Sequence, residues 1–249
     1  MRLSTHKAIT RAVACAVGVR GGPLLEAMLR GVEEPDRNPE EEIQARVSRR
    51  GNVYLTARRV RHHTAGNRGR IMKRLWKARR CWLKGRPAEA AFHLGYALHY
   101  IQDACVSADS HGEDEARMQG MPVPLQAIDA AAAAAKPSPS FLEQALSRIG
   151  PSQPRIALEN ASVASALAAA AVFAPAEPPA PLVEAIEAGK PRHRLLVTLA
   201  LSSALAGFAA ASASIAASML AFAAALAFYA MDGEYRKLRK ELKWFSRRG

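Results

Sequence analysis

The sequence predicts an all-α protein that carries an apolar helical hairpin near its C-terminus. Hydrophobic residues make up 49% of the 249 residues but aromatic residues only 6%, so alanine and leucine supply most of the apolar surface. Alanine is the strongest helix former and a poor strand former, which favours packed helices over a sheet. The second observation is the segment 195–231, in which 37 consecutive residues carry no charged side chain.

Composition divides the chain into four parts. Residues 1–121 mix charged and apolar side chains at helical spacing, and the mixture predicts a helical domain that could extend to residue 173. Eleven of the 15 prolines lie between 122 and 191, which favours a Pro/Ala-rich connector over 122–193 with short helices near 141–149 and 156–173. A hairpin over 194–231 and a basic tail over 232–249 complete the chain.

Glycine and proline residues indicate where helices begin and end within residues 1–121. Gly21-Gly22-Pro23 separates two early helices, and the Pro-rich stretch 33–39 predicts a loop. A basic helix is expected over 70–83, and Pro87 is expected in the first turn of the next helix.

The uncharged segment 195–231 is too long for one membrane span. As one helix it would measure about 55 Å, against a hydrocarbon core of about 30 Å, so two spans that turn near 207–214 fit better. Basic residues flank both ends, which places the N-terminal domain and both ends of the hairpin on the cytoplasmic side of a membrane. The alternative is a buried Ala-rich helix pair in a soluble bundle. The tail is expected to lie on anionic lipid through apolar residues such as Trp244.

The net charge of +13 indicates an anionic partner. The positive charge is concentrated in the segment from Arg46 to Arg86, which contains 15 basic residues and no acidic one. Anionic lipid headgroups and RNA are both candidates, a solubilising surface is the alternative, and no nucleotide cofactor is expected. The predicted polyanion-binding residues are Arg58, Arg59, Arg61, Arg68, Arg70, Lys73, Arg74, Lys77, Arg79 and Arg80.

Histidine and carboxylate pairs are the residues best suited to chemistry. His99 and Asp103 are four apart, hence about 40° apart around a helix axis, so both can reach one divalent ion. His111 and Glu115 repeat this spacing, and His62, His63 and His6 lie upstream. Such a spacing also occurs in ordinary hydrogen-bonded pairs, but its repetition favours metal binding.

The stretch from Gly95 through Leu98-His99-Tyr100 to Asp103, followed by His111 and Glu115, resembles the signature helix of the zinc-dependent phospholipase C family. That family shares its fold with fungal single-strand-specific nucleases. The Ser4-Thr5-His6 segment is similar to the histidine of its first helix, and Pro35-Asp36 with His62-His63 is similar to its Pro-Asp loop and histidine segment.

The resemblance implies an all-α, phospholipase C-like bundle that holds one to three zinc ions, with two expected. Asp36, one of His62 and His63, His99 and Asp103 would surround one ion. His111 and Glu115 would hold a second, and His6 would lie near a third. The implied activity is hydrolysis of a phosphodiester, such as a phospholipid, with Asp36 as the catalytic residue that orients or deprotonates water.

One departure from the family pattern supports an alternative function. The family has a further histidine in a Gln-Pro-x-His stretch, but the corresponding residues of this sequence, 104–110, contain no histidine. Asp109 or Cys105 could take its place. The alternative is a weakly active or inactive module of the same fold, whose basic surface binds RNA, a ribosome or anionic lipid at the membrane.

Overall fold

The computed structural model describes residues 1–49, 51–59, 67–107 and 111–247, without the side chains of Gln44, Arg58, Arg59 and His111. Within this part, the chain forms two compact units, Met1–Ala174 and Pro175–Gly249. The division places the helices of 125–173 in the first unit, where they pack against its other helices.

The first unit contains eight helices and one two-stranded β-hairpin within the described residues. They are α1 (Leu3–Ala16), α2 (Gly22–Arg37), β1 (Glu41–Val47), β2 (Val53–Arg59), α3 (Arg68–Leu83), α4 (Pro87–Asp103), α5 (His111–Met118), α6 (Leu125–Ala134), α7 (Pro139–Ser147) and α8 (Pro154–Phe173).

Helix α4 forms the centre of this unit. Every residue from His93 to Asp103 is buried, because α1, α2, α3 and α8 all pack around it. Pro87 lies in its first turn, as the sequence predicts. Gly85 has a φ of 71° after α3, and the Arg86 amide donates to the Cys81 carbonyl at 2.9 Å, which closes the end of α3.

Two glycines let α2 and α4 approach at backbone contact. A Cβ on Gly31 would lie 2.0 Å from the Phe92 carbonyl oxygen, and a Cβ on Gly95 would lie 2.0 Å from the Met28 carbonyl oxygen. Because no real Cβ tolerates such a distance, only glycine permits this crossing. The Gly95 of the sequence motif therefore has a packing role.

The structure differs from the sequence prediction between residues 33 and 59. The predicted loop over 33–39 is wrong for its first part, since α2 continues through Pro35 to Arg37. A two-stranded antiparallel sheet follows, in which Glu41 is opposite Arg59 and Val47 is opposite Val53. An all-α fold was therefore too strict a prediction. The strands alternate apolar and polar residues, which is the period-2 signal of a strand.

Arg79, predicted to face a polyanion, is wholly buried. Its Nη1 donates to the carbonyls of Val172 at 2.9 Å and Ala174 at 2.5 Å, so it closes the C-terminus of α8, where a cation opposes the helix dipole. Burial lowers the pKa of this guanidinium to about 10. The prediction is wrong at this position because helical periodicity in a basic run does not show which arginine faces inward.

Among its described residues, the second unit contains three helices, α9 (Ala180–Ala210), α10 (Ile215–Met231) and α11 (Gly233–Lys243). α9 and α10 pack against each other, and α11 returns onto α9. His193 Nδ1 lies 2.9 Å from Asp232 Oδ2, and the His193 ring stacks on Tyr235 at 4.2 Å. Trp244, expected at a lipid surface, is wholly buried.

Among the described helices, two are long and apolar enough to cross a membrane, or three if the bent pair α10 and α11 is taken as one span. One of the two is α8, in which 61% of the apolar 18-residue window is buried. The other is α9, in which only 11% of that window is buried. Large apolar residues of the second unit, such as Leu205 and Phe208, are about 70% exposed (69% and 71%).

Replacing Gly95 with alanine is expected to destabilise the first unit by about 1–3 kcal/mol, because the new methyl group must push α2 away from α4. Gly69→Ala is the matched control, since Gly69 also lies in a helix but has no atom within 4 Å of its Cβ position. The control should be neutral or slightly stabilising. Thermal unfolding in one detergent compares the three proteins, and equal melting temperatures for the two variants would contradict the crossing.

Candidate metal centre

The buried end of α4 brings two imidazoles and a carboxylate together. One ligand atom from each of His6, His99 and Asp103 lies within 4.8 Å of the other two, and all three residues are buried. The two rings stack with centroids 4.4 Å apart. His6 comes from α1, while His99 and Asp103 come from α4 at the predicted spacing of four. This is the group among the described residues that could hold a metal ion.

Hydrogen bonds at Nδ1 fix the orientation of both imidazoles. His99 Nδ1 lies 2.9 Å from the Val32 carbonyl oxygen, which can only accept, so Nδ1 carries the proton. His6 Nδ1 lies 2.6 Å from Gln102 Oε1, and the Gln102 amide donates to Ser165 Oγ at 3.2 Å. Both rings therefore point Nε2 towards Asp103, and a neutral ring held in this way offers its Nε2 lone pair to a metal ion, the arrangement that is common in metal-binding histidines.

The two Nε2 atoms face different oxygens of Asp103. His6 Nε2 lies 3.1 Å from Oδ1 and His99 Nε2 lies 3.2 Å from Oδ2. Although Asp103 Oδ1 is close, His6 Nε2 makes no well-directed hydrogen bond within the described residues. A buried imidazole nitrogen without a hydrogen bond is costly, and a cation shared with Asp103 would remove that cost.

Two further carboxylates border the cluster. Asp36 Oδ1 lies 3.6 Å from His99 Nε2, and the Asp36 side chain is 49% exposed, so it stands at the mouth of the site. Glu115 Oε1 lies 2.8 Å from the amino group of Met1, which is itself 2.6 Å from Asp103 Oδ1. Asp103 and Glu115 thus already converge on one positively charged group.

The structure groups the predicted site residues differently from the resemblance. His6 was expected near a third ion but shares one cluster with His99 and Asp103. Asp36 and Glu115 lie beside that cluster. His62 and His63 lie outside the described residues, and His111 begins α5 with its side chain undescribed, so these three assignments stay predictions.

Gln102, the Val32 carbonyl and the Met1 amino group were not singled out from the sequence. Gln102 could have been, because it adjoins Asp103 and lies on the central helix. A main-chain carbonyl leaves no sequence signal. Cys105 does not join the site. Burial raises the pKa of its thiol to about 12, and the thiol donates to the Ile101 carbonyl at 3.5 Å.

His93 is separate from the cluster, as its position on α4 predicts. Burial lowers its pKa to about 4, and the nearby charges of Lys77 and Arg74 add to the effect. The folded protein therefore holds a neutral imidazole at pH values where the unfolded chain, with a pKa near 6.5, takes up a proton.

The free energy of unfolding should consequently fall as the pH drops from about 6.5 to 4, by up to about 1.4 kcal/mol per pH unit from this residue. His93→Gln cannot take up the proton, so its stability should fall less over the same range. Thermal unfolding of both proteins across that range measures the difference. Parallel curves would show that His93 does not titrate differently on folding.

No family model, curated protein or solved structure matches this chain. The similarity to zinc-dependent phospholipases C therefore rests on the motif residues alone.

Proposed function

We propose that this chain is a membrane-held, metal-dependent hydrolase of phosphodiesters whose metal is bound by His6, His99 and Asp103. The observation that carries the proposal is the pair of buried imidazoles, each fixed at Nδ1 and each presenting Nε2 to one carboxylate. Two nitrogens and carboxylate oxygens form a donor set that suits zinc.

The carboxylates around the cluster would also provide ligands for a second ion. Asp103 directs Oδ1 towards His6 and Oδ2 towards His99, so both of its oxygens would be available as ligands. Asp36 borders the His99 side, and Glu115 borders the side of Oδ1. Each ion would thus have at least one imidazole and a share in two carboxylates.

The chain's own residues would divide the work of hydrolysis. A bound zinc ion lowers the pKa of water and neutralises charge on a phosphoryl oxygen. Asp36, half exposed at the mouth, can orient a water molecule and accept its proton. Gln102 and the Val32 carbonyl hold the two imidazoles in their orientations. The buried walls of α1, α2 and α4 keep bulk water from the cluster.

Elemental analysis of the purified protein tests the metal. Wild-type protein should contain zinc and hydrolyse a simple phosphodiester such as bis(p-nitrophenyl) phosphate. Asp103→Ala should lose both, because it removes the carboxylate that both imidazoles face. Asp36→Asn should keep the metal, because His6, His99 and Asp103 remain and Asn retains an oxygen ligand, and should lose about 10²–10⁴-fold in turnover, the usual contribution of a general base.

His93→Gln is the matched control, since it removes a buried imidazole from the same helix outside the cluster. It should keep both metal and turnover. Gln102→Leu should weaken metal affinity by about 10–100-fold, as losses of such supporting hydrogen bonds do. Wild-type protein that stays metal-free after incubation with zinc, or turnover that survives in Asp103→Ala, would refute the proposal.

We also propose that α9 and α10 cross the membrane as a hairpin. Its apolar legs, 195–210 and 215–231, are about 24–26 Å long, close to the shortest membrane spans. Lys190 and Arg194 precede the first leg, and Arg236 and Lys237 follow the second, which favours a cytoplasmic location for both flanks. Gly207 lies against Phe222 and Ala221, so the legs are closely packed.

Thiol labelling in intact cells tests this topology. In a Cys15→Ser background, which removes the exposed native thiol, a membrane-impermeant maleimide should label Ser212→Cys at the turn. It should not label Glu184→Cys in the flank until the cells are opened. Equal labelling of both positions before lysis would contradict a membrane-spanning hairpin.

A further inference from the structure

A second cluster of charge lies on α3, separate from the metal centre. Arg70, Lys73, Arg74 and Lys77 line one cavity of about 440 Å³ together with Glu40 and Gly69. The four cations recur at intervals of three and four residues, so they form one stripe along the helix. The cavity is large enough for a small ligand.

The cavity already holds one anionic group of the chain itself. Both Arg70 and Arg74 donate to the Glu40 carboxylate, one guanidinium to each oxygen. Burial acts to raise the pKa of Glu40, but the hydrogen bond from Arg74 and the charges of both arginines lower it below its usual value. Glu40 is therefore ionised, and the two guanidinium groups form a site that selects an anion.

The Arg74 guanidinium is held in place by an aromatic ring. The Arg74 guanidinium carbon lies 3.8 Å from the centre of the Tyr96 ring, and only 22% of the Arg74 side chain is exposed. Stacking of this kind orients a guanidinium before any ligand arrives. Tyr96 belongs to α4, the helix that also carries His99, so one rigid element supports both sites.

The charge of the cavity exceeds what its carboxylates neutralise. Glu42 is the nearest further carboxylate and lies 3.8 Å from Arg70. Lys73 and Lys77 are exposed, and neither has an ion pair with an acidic group within the described part of the chain. The four cations and two carboxylates give the cavity a net charge of about +2. This charge is complementary to that of a phosphate monoester, which is about −2 at neutral pH.

We propose that this cavity binds a dianionic phosphate group, with Arg70 and Arg74 as its bidentate donors and Glu40 as an internal anion that the ligand displaces. Guanidinium forks bind phosphate in this bidentate manner. The phosphate belongs to a lipid headgroup or to a soluble monoester. The proposal does not depend on the metal centre.

Binding of inorganic phosphate to the full chain tests the proposal, with the protein in nanodiscs of phosphatidylcholine and at constant ionic strength. An Asp103→Ala background with a chelator present excludes phosphate held by a metal ion, so failure of this site and failure of the metal centre give different results. Calorimetry or ³¹P line broadening measures the dissociation constant.

Three variants make the test specific. Glu40→Gln should bind phosphate about tenfold more tightly, because it removes the internal competitor. Lys73→Gln combined with Lys77→Gln should bind about tenfold more weakly, as expected for the loss of charged donors. Arg80→Gln combined with Lys84→Gln removes one exposed charge of α3 and one directly after it, both outside the cavity, and should change binding less than twofold.

Two results would overturn the proposal. The first is equal weakening in the two double variants, which would show only a general attraction of α3 for anions. The second is a folded Glu40→Gln protein with unchanged affinity for phosphate, which would make the Glu40 contacts purely structural.

Adding an anionic lipid to the nanodisc distinguishes the two sources of the phosphate group. If phosphatidic acid in the nanodisc weakens the apparent binding of inorganic phosphate to the protein with an intact cavity, the site takes a lipid headgroup. If it has no effect, the site takes a soluble monoester.

Discussion

The approach of α2 to α4 at Gly31 and Gly95 is the constraint on which the candidate metal centre depends. Each glycine lies where a Cβ would be 2.0 Å from a carbonyl oxygen of the other helix, so the two backbones touch. One residue after Gly31, the Val32 carbonyl accepts a hydrogen bond from His99 Nδ1. A wider helix separation would break that hydrogen bond and free the imidazole to rotate.

Asp103 connects the parts of the site that come from different elements. It faces His99 from its own helix, and it faces His6 and the amino group of Met1 from the start of the chain. Because Asp103 is nearly fully buried, its charge is stable only with such partners. The carboxylate therefore holds α1 against the end of α4 and also defines where a cation would bind.

Helix α4 contributes residues to two chemically different regions, the candidate metal cluster and the cationic cavity of α3. His99 and Asp103 meet α1 and α2, while Tyr96 supports Arg74 of α3. Residues three apart on a helix lie about 60° apart around its axis and about 4.5 Å apart along it. One helix therefore contacts both the cationic cavity and the cluster.

The sequence alone determined the helical character of the chain, the spacing of His99 and Asp103, the cap at Pro87 and the uncharged segment 195–231, because each depends on residues near one another in the chain. The hairpin between 41 and 59 escaped prediction, although its period-2 alternation was a signal, because the alanine-rich composition favoured helices. Only the tertiary structure decided that His6 joins His99, that Arg79 faces inward and that Glu40 lies between two arginines. These depend on side chains distant in sequence, and on which face of each helix is buried against its neighbours.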